Sequence, residues 1–455
     1  MIAGACLGGT AFGQNNRTAP RYYPASYYSY YQDGASTQAP APITSASDTA
    51  AKASAVTPAS ACCDNTPACD VAAICDGKAA SCDSLGGGCG SSCGSSCGLL
   101  GGGLLGDCNL GEPWKLCSDP VLGFNIGGWT SVGYHTASNP FSFNNYDSRV
   151  QLGQQWFYAE RIADGSEGLG LGGRIDYLYG TDAPDTQAFG TPGRFDDPWD
   201  NGGAYGHALP QVYGEVATGN LSTKIGRFFT IVGNEVVAAT GNFFYSRQFT
   251  FYNAEPFTHT GALSTYTVDE DTQLYGGYVM GWDSGFDDNG DAYLGGFKRK
   301  FSDNLTLVYA TALGRFGETT SANPNERGGV HSAIATLGLT DKLSYINQTD
   351  VLFTRNVAGE AARNTFGNIH YLIYQVNDCL ALGQRFEWFN YGGTGFGNRT
   401  NDDLYNYTVG LNIKQSANLM FRPEVRWVWD RDQFGFNENN KSSQAAFGGD
   451  MVFTF

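Results

Sequence analysis

Alternating apolar and polar positions are the clearest pattern in the chain, and they are sharpest near its C-terminus. The odd positions between Leu419 and Trp429 are all apolar, whereas the even positions include Arg422, Glu424 and Arg426. The preceding segment repeats the pattern, with apolar residues at odd positions from 405 to 413 and mostly polar residues between them. A period of two predicts β-strands with one apolar face and one charged face.

Sixteen segments between Gly123 and Phe455 have strand character, and the connections between them alternate in length. The short connections contain tight-turn residues: 218–220, 302–304, 340–342, 377–378 and 416–418. The long connections are acidic or rich in Gly and Asn: 180–207, 229–255, 315–327, 391–402 and 430–443. Short turns at one end and long loops at the other are typical of an outer-membrane barrel. We therefore predict an all-β fold, an antiparallel up-and-down transmembrane β-barrel of about 16 strands over residues 121–455. Segments 343–355 and 365–376 alternate too poorly for their faces to be predicted.

Composition excludes several classes of protein. The chain carries a net charge of −17 and only 16% charged residues, so it offers no basic face for nucleic acid. It has no apolar stretch of eighteen residues, which excludes a transmembrane helix but not a barrel. The five histidines are scattered, and the glycine pattern at 168–173 continues into a strand rather than a helix. We therefore expect no enzymatic activity, no cofactor and no metal site.

The first 120 residues differ from the rest. Residues 1–13 have the small apolar composition expected of the remainder of a signal peptide. Residues 14–120 are of low complexity, first rich in Tyr and then in Cys, Gly and Ser, and we expect them to be flexible. Eleven of the twelve cysteines lie at or before Cys117, and the other is Cys379. Their spacing favours disulfides, within this region or to envelope partners, over zinc.

The last strand carries a candidate assembly signal. Apolar residues occupy alternate positions from Phe447 to the terminal residue, Phe455, and include Met451 and Phe453. A terminal aromatic residue after such an alternation resembles the signal that the barrel-assembly machinery reads in bacterial outer-membrane proteins. We therefore expect Met451, Phe453 and Phe455 to direct assembly.

Several segments resemble a known family. The runs 171–182, 224–228, 241–246 and 254–261 are similar to the β-barrel porin-2, OmpL-like family, and the similarity covers about residues 120–455. The resemblance implies a bacterial outer-membrane porin with its N-terminal extension in the periplasm. Its partners would be outer-membrane lipid, small hydrophilic solutes that diffuse passively through a water-filled channel, and further copies of the chain in a homotrimer.

One long connection has the composition of a loop that narrows the pore. Residues 229–255 are rich in Gly, Ala, Val and aromatic side chains, which is unusual for a solvated loop. The loop follows the fifth strand, so in a sixteen-strand barrel it would face strands thirteen and fifteen. We predict a constriction lined by charged residues of the loop and of that wall, with two further candidates on the third strand: Glu235, Arg247, Glu255, Arg385, Glu387, Arg422, Glu424, Arg426, Arg174 and Asp176.

Two interpretations of these charges stay open. Carboxylates on the loop opposite arginines on the wall would set up a transverse field that selects solutes by charge. Alternatively, the groups pair with one another and only satisfy the interior of the barrel. The predicted function is a diffusion channel. The alternative is a structural or adhesive outer-membrane barrel with a blocked lumen, anchored by its Cys-rich tail.

Overall fold

The computed structural model describes residues 108–137, 143, 146–188, 195–196, 203–286, 290–317, 326–397, 399–430 and 442–455. The predicted signal-peptide segment 1–13 and most of the low-complexity region lie outside these residues. None of the helices within the described ranges is long and apolar enough to span a membrane.

The described part of the chain contains seventeen strands, one short α-helix and two single-turn 3-10 helices, Ala239–Gly241 and Thr394–Phe396. The strands are β1 (Asn125–His135), β2 (Gln151–Arg161), β3 (Leu169–Gly180), β4 (Gly206–Ala208), β5 (Val212–Thr218), β6 (Leu221–Phe229), β7 (Thr258–Asp269), β8 (Thr272–Val279), β9 (Asp291–Ser302), β10 (Leu305–Gly317), β11 (Glu326–Gly338), β12 (Leu343–Arg355), β13 (Ala361–Asn377), β14 (Leu380–Gly393), β15 (Arg399–Lys414), β16 (Leu419–Asp430) and β17 (Ser443–Thr454). The helix is α1 (Phe249–Ala254).

The strands close into one antiparallel barrel. Apart from β4, strands that follow one another along the wall pair with each other, and β1 pairs with β17 to close the ring, for example Val132 opposite Met451. β4 and β5 both pair with β3, so they form one interrupted wall strand. The wall therefore has sixteen strands, which confirms the predicted fold. Closure removes the exposed edges that an open sheet would have.

The two faces of the wall differ as the alternation predicts. On β16 the outward side chains of Trp427 and Trp429 are 36% and 41% exposed, whereas Arg422 on the opposite face is 1% exposed. β17 continues the outward face, because Phe421 lies opposite Met451 in the register of the two strands. The apolar face thus points away from the barrel axis and the charged face points inward.

The connections confirm the asymmetry, but strands extend into the predicted loops. Tight turns such as 219–220 and 303–304 lie at the end of the barrel where β1 begins and β17 ends. The longer connections lie at the other end. β10 runs to Gly317 and β11 begins at Glu326, inside the predicted loop 315–327. The predicted long loop 391–402 is wrong in its bounds. β14 runs through Gly393, and β15 begins at Arg399. Gly393 and Arg399 are partners in the ladder after a register shift, so the glycines at 392 and 393 are part of the wall.

Residues 108–120, here called the strap, cross the short-turn end of the barrel. Cys108 forms a disulfide with Cys379 in the turn between β13 and β14, with Cα atoms 5.8 Å apart. In the next turn, the side chain of Asn418 bonds both the backbone N–H and the carbonyl of Trp114, at 2.7 and 2.8 Å. The Trp114 ring stacks on Phe453, with centroids 6.2 Å apart. A tail cysteine is therefore paired with the barrel cysteine, a pairing that the sequence did not predict.

Candidate functional site: the inner loop and the barrel wall

The connection between β6 and β7, residues 230–257, folds into the barrel and is here called the inner loop. Its apolar side chains pack against the inward faces of three parts of the wall. Val237 and Phe251 contact the cluster that contains Trp156 of β2, and Phe249 lies in the cluster that contains Leu294 of β9. Phe244 packs with isoleucines of β11 to β13. The loop therefore shares apolar clusters with β2, with β9 and with β11 to β13.

Arg385 of β14 makes an ion pair with the loop carboxylate of Glu235. The same carboxylate accepts a hydrogen bond from the Tyr371 hydroxyl at 2.8 Å. Arg385 also donates to the backbone carbonyl of Ser246 at 2.9 Å. Because Arg385 is fully buried and Glu235 is 3% exposed, this pair joins loop and wall away from bulk water.

Two glutamates of the wall accept hydrogen bonds from the loop backbone. Glu387 of β14 accepts the N–H groups of Phe249 and Thr250 at 2.9 and 2.7 Å. Glu424 of β16 accepts the N–H groups of Tyr245 and Ser246, the former at 2.9 Å. The four N–H donors would otherwise lie buried without partners. These carboxylates therefore set the position of the loop along the barrel axis.

Arg422 of β16 joins the wall to the first half of the loop. Its guanidinium makes two hydrogen bonds with Asp450 of β17, at 2.8 and 2.6 Å. It also donates to the carbonyls of Ala239 and Asn242, at 2.6 and 2.7 Å. Asp450 was not among the predicted residues, although it occupies an inward position of β17 opposite Arg422. The alternation of the last strand could have identified it.

Arg247 makes its hydrogen bonds within the inner loop. Its guanidinium donates to the carbonyls of Val236, Val237 and Tyr245 at 3.0 Å each. These contacts bring the two halves of the loop together. Arg247 is 3% exposed, so its charge acts within the loop rather than at a water-facing surface.

Glu255 lies at the other end of the loop beside a second carboxylate. Gln348 of β12 donates to Glu255 at 2.6 Å and to Asp350 at 3.0 Å. Burial, together with the charge of Asp350, raises the pKa of Glu255 well above its ordinary value. Gly233 gives this carboxyl its space, because a Cβ there would lie 1.9 Å from Glu255 Oε2.

Within the part of the chain that the structure describes, Arg426 differs from Arg385 and Arg422 in having no carboxylate partner. Its Nε donates to the neutral amide oxygen of Asn406 at 3.1 Å, and its guanidinium lies 4.8 Å from the centroid of the Phe249 ring. Among the described residues no carboxylate forms an ion pair with it, and Nη2 has no hydrogen-bond partner. Arg426 is nonetheless only 6% exposed.

Arg174 and Asp176 of β3 lie apart from the group that grips the loop. Arg174 bonds Asp176 at 2.7 Å and reaches Glu160 of β2 at 3.2 Å. Asp176 also accepts the Gln211 side chain at 2.9 Å, whose oxygen accepts the N–H of Phe229. The pair therefore supports the start of the loop through Gln211. Eight of the ten predicted charges come together at the loop, and these two do not.

The bore differs above and below the loop. The eight charges at the loop are each at most 6% exposed. Toward the short-turn end, inward positions such as Lys224, Thr265, Gln273 and Lys298 are partly exposed. Lys298 shares the face of the inward residue Leu294 and lies opposite Gln273. Water therefore reaches the polar short-turn half of the bore, and the packed loop crosses the level above it.

The predicted assembly residues lie at the seam where the barrel closes. Met451 and Phe453 are each 36% exposed on the outward face of β17. Phe455 pairs with Gly128 of β1 through two backbone hydrogen bonds of 2.9 Å. Its ring lies 5.6 Å from that of Phe157.

Comparisons with known proteins agree on the architecture. The family model described as "Putative beta-barrel porin-2, OmpL-like" matches residues 123–455. An anion-selective porin from Comamonas acidovorans has a similar fold, with a TM-score of 0.51 at 10% identity over 73% of this chain and 99% of that one. OmpT from Vibrio cholerae gives a TM-score of 0.50 at 12% identity over 75% and 100%. A structure of its trimer form gives 0.49 at 12% identity over 73% and 99%. No curated protein matches the sequence.

Proposed function

Because the chain belongs to the porin-2, OmpL-like family of outer-membrane β-barrels, we propose that it is a porin through which small hydrophilic solutes diffuse. The observation that carries the proposal is the bore itself: polar, partly exposed side chains line its short-turn half, and one long connection folds inward across it. A sixteen-strand barrel is wide enough to contain an aqueous channel unless a loop fills its bore. The inner loop then sets how much passes.

The contacts suggest how the charged residues contribute to this function. Wall charges such as Arg385, Glu387 and Glu424 position the loop, so we propose that they act on permeation through the loop rather than by direct contact with solute. Such a role is closer to the interpretation in which the charged groups pair with one another than to the one in which they set up a transverse field across open water. The N-terminal extension in the periplasm and the homotrimer stay predictions.

Channel recordings test the proposal. We expect the full-length chain in a planar bilayer to give discrete conductance steps, small for a sixteen-strand barrel because the loop crosses the bore. The control is the same preparation after heat unfolding, which should give no steps. Folded, inserted protein that never conducts would contradict the proposal.

A barrel with a blocked lumen is the second candidate, and the tight packing of the loop favours it. Eight charged groups at the loop are nearly excluded from solvent, whereas residues lining an open channel would be wet. Under this alternative the loop is a permanent plug. A silent wild-type barrel that begins to conduct when the loop is released would identify this state.

The assembly role of the last residue can be tested separately. Deleting Phe455 removes two backbone hydrogen bonds at the seam and a ring packed against Phe157. We expect a several-fold loss of folded barrel in the outer membrane, measured as the heat-modifiable band on a gel. Phe447→Ala is the matched control, because Phe447 is an outward residue of the same strand and is 55% exposed. Equal yields from both variants would contradict the prediction.

A further inference from the structure

In the described structure, four wall arginines face the inner loop, and three of them have carboxylate partners. Arg363 of β13 donates to the carbonyl of Asn253 and pairs with Glu326. Arg385 pairs with Glu235, and Arg422 pairs with Asp450. Arg426 lies four residues after Arg422 on β16, on the same inward face. Its neighbours in the register are Ala446 on β17 and Thr408 on β15. Its register positions therefore supply no carboxylate, although the residue is only 6% exposed.

A small cavity lies beside this arginine. It has a volume of about 30 Å³, and its lining includes Arg426, Ser246, His135 and the small residues Ala446 and Gly448. One water needs on the order of 10–15 Å³ of such space. The cavity can therefore take an ion of the size of chloride but not a sugar or an amino acid.

Glu424 also lines the cavity, but both its oxygens accept hydrogen bonds from the loop backbone. Its charge is directed toward the donors of Tyr245 and Ser246. The guanidinium of Arg426, in contrast, has an unused donor. Its Nε donates to Asn406, but Nη2 has no partner in the described structure. A buried guanidinium is strongly stabilised by an anion within hydrogen-bond distance.

We propose that this cavity binds one small monovalent anion, of chloride size, through the guanidinium of Arg426. The anion takes the place that Asp450 takes at Arg422 and completes the contact between the wall and the loop. The site does not depend on conduction through the barrel, so it can be present whether the proposed channel function holds or fails.

Bromide is the probe, because its anomalous scattering identifies it. Crystals of the full-length protein grown in sodium bromide should show an anomalous peak within hydrogen-bond distance of Arg426. The peak should be absent in Arg426→Gln and retained in Arg299→Gln, which removes an exposed arginine elsewhere on the wall. A wild-type map without this peak overturns the proposal and leaves the cavity to water.

Thermal unfolding in detergent gives a second measurement that needs no crystals. At equal ionic strength, replacing gluconate by chloride should raise the wild-type midpoint by about 2 °C or more, since a ligand bound only to the folded state stabilises it. Gluconate is too large for the cavity. The chloride effect should vanish in Arg426→Gln, and an equal effect in both proteins overturns the proposal. If Arg426→Gln does not fold, the wild-type bromide map alone decides.

Discussion

Replacing Cys379 by alanine should lower the free energy of unfolding by about 5 kcal/mol. The disulfide between Cys108 and Cys379 spans 271 residues of sequence. In the chain-entropy model, cross-linking so long a loop restricts the unfolded chain by roughly that amount. The effect should be measured by urea unfolding of the protein in detergent, under non-reducing conditions.

The position of the bond makes it more than an internal cross-link. From β1 the strap runs past β17 to the turn between β15 and β16, where it is hydrogen-bonded. It then reaches the turn between β13 and β14, where the disulfide forms. The strap and its disulfide thus cross the seam between β1 and β17 and add a covalent link to the hydrogen bonds and ring contacts found there. Unfolding from this seam should accelerate in the variant.

Cys117→Ala is the matched control, because Cys117 also lies in the strap but forms no disulfide within the described structure. It should leave the unfolding curve unchanged. Adding reductant to the wild-type protein should reproduce the effect of Cys379→Ala and should not change that variant further. Coincident curves for wild type and Cys379→Ala would contradict the prediction.

The barrel could be predicted from the sequence because the membrane imposes one simple rule on its wall. Along β16, lipid selects Trp427 and Trp429 while the interior selects Arg422 and Glu424, so the strand and both faces can be identified from local sequence. The inward course of the loop could also be predicted, since an apolar, aromatic connection needs a surface to pack against.

Faces of β12 and β13 could not be predicted, and the structure shows the physical reason. Their outward faces carry polar side chains that satisfy one another across strands. Asn368 donates to Thr349 at 2.8 Å, and the Tyr345 hydroxyl bonds the His370 ring at 2.7 Å. Such pairs lower the cost of polar groups on the outer wall, and they remove the alternation on which the prediction depends.

The partners of the loop were beyond sequence reasoning for a different reason. Glu387 and Glu424 bind backbone N–H groups, and a backbone donor leaves no sign in the residue types around it. The pairing of Cys108 with Cys379 is set by where the strap crosses the turns, which only the closed barrel defines. Tertiary geometry decided both contacts.

Releasing the inner loop should open the barrel. In the double variant Glu387→Gln, Glu424→Gln, four backbone N–H groups of the loop lose their charged acceptors. A hydrogen bond to a charged group contributes about 1.5–3 kcal/mol, so losing even one such bond at each glutamate costs the docked loop about 3–6 kcal/mol. We expect the single-channel conductance to rise several-fold, because water then fills the level that the loop occupies.

Trypsin provides a readout of the loop that does not depend on conduction. Arg247 is 3% exposed in the docked loop and should resist cleavage in the wild-type protein, but it should be cut rapidly in the double variant. Glu270→Gln is the control, because this glutamate lies exposed in the turn between β7 and β8. A double variant with Arg247 still protected and a conductance equal to that of the control would show that the two glutamates do not hold the loop. Cleavage at Arg247 without any conductance would instead show that something other than the loop closes the bore.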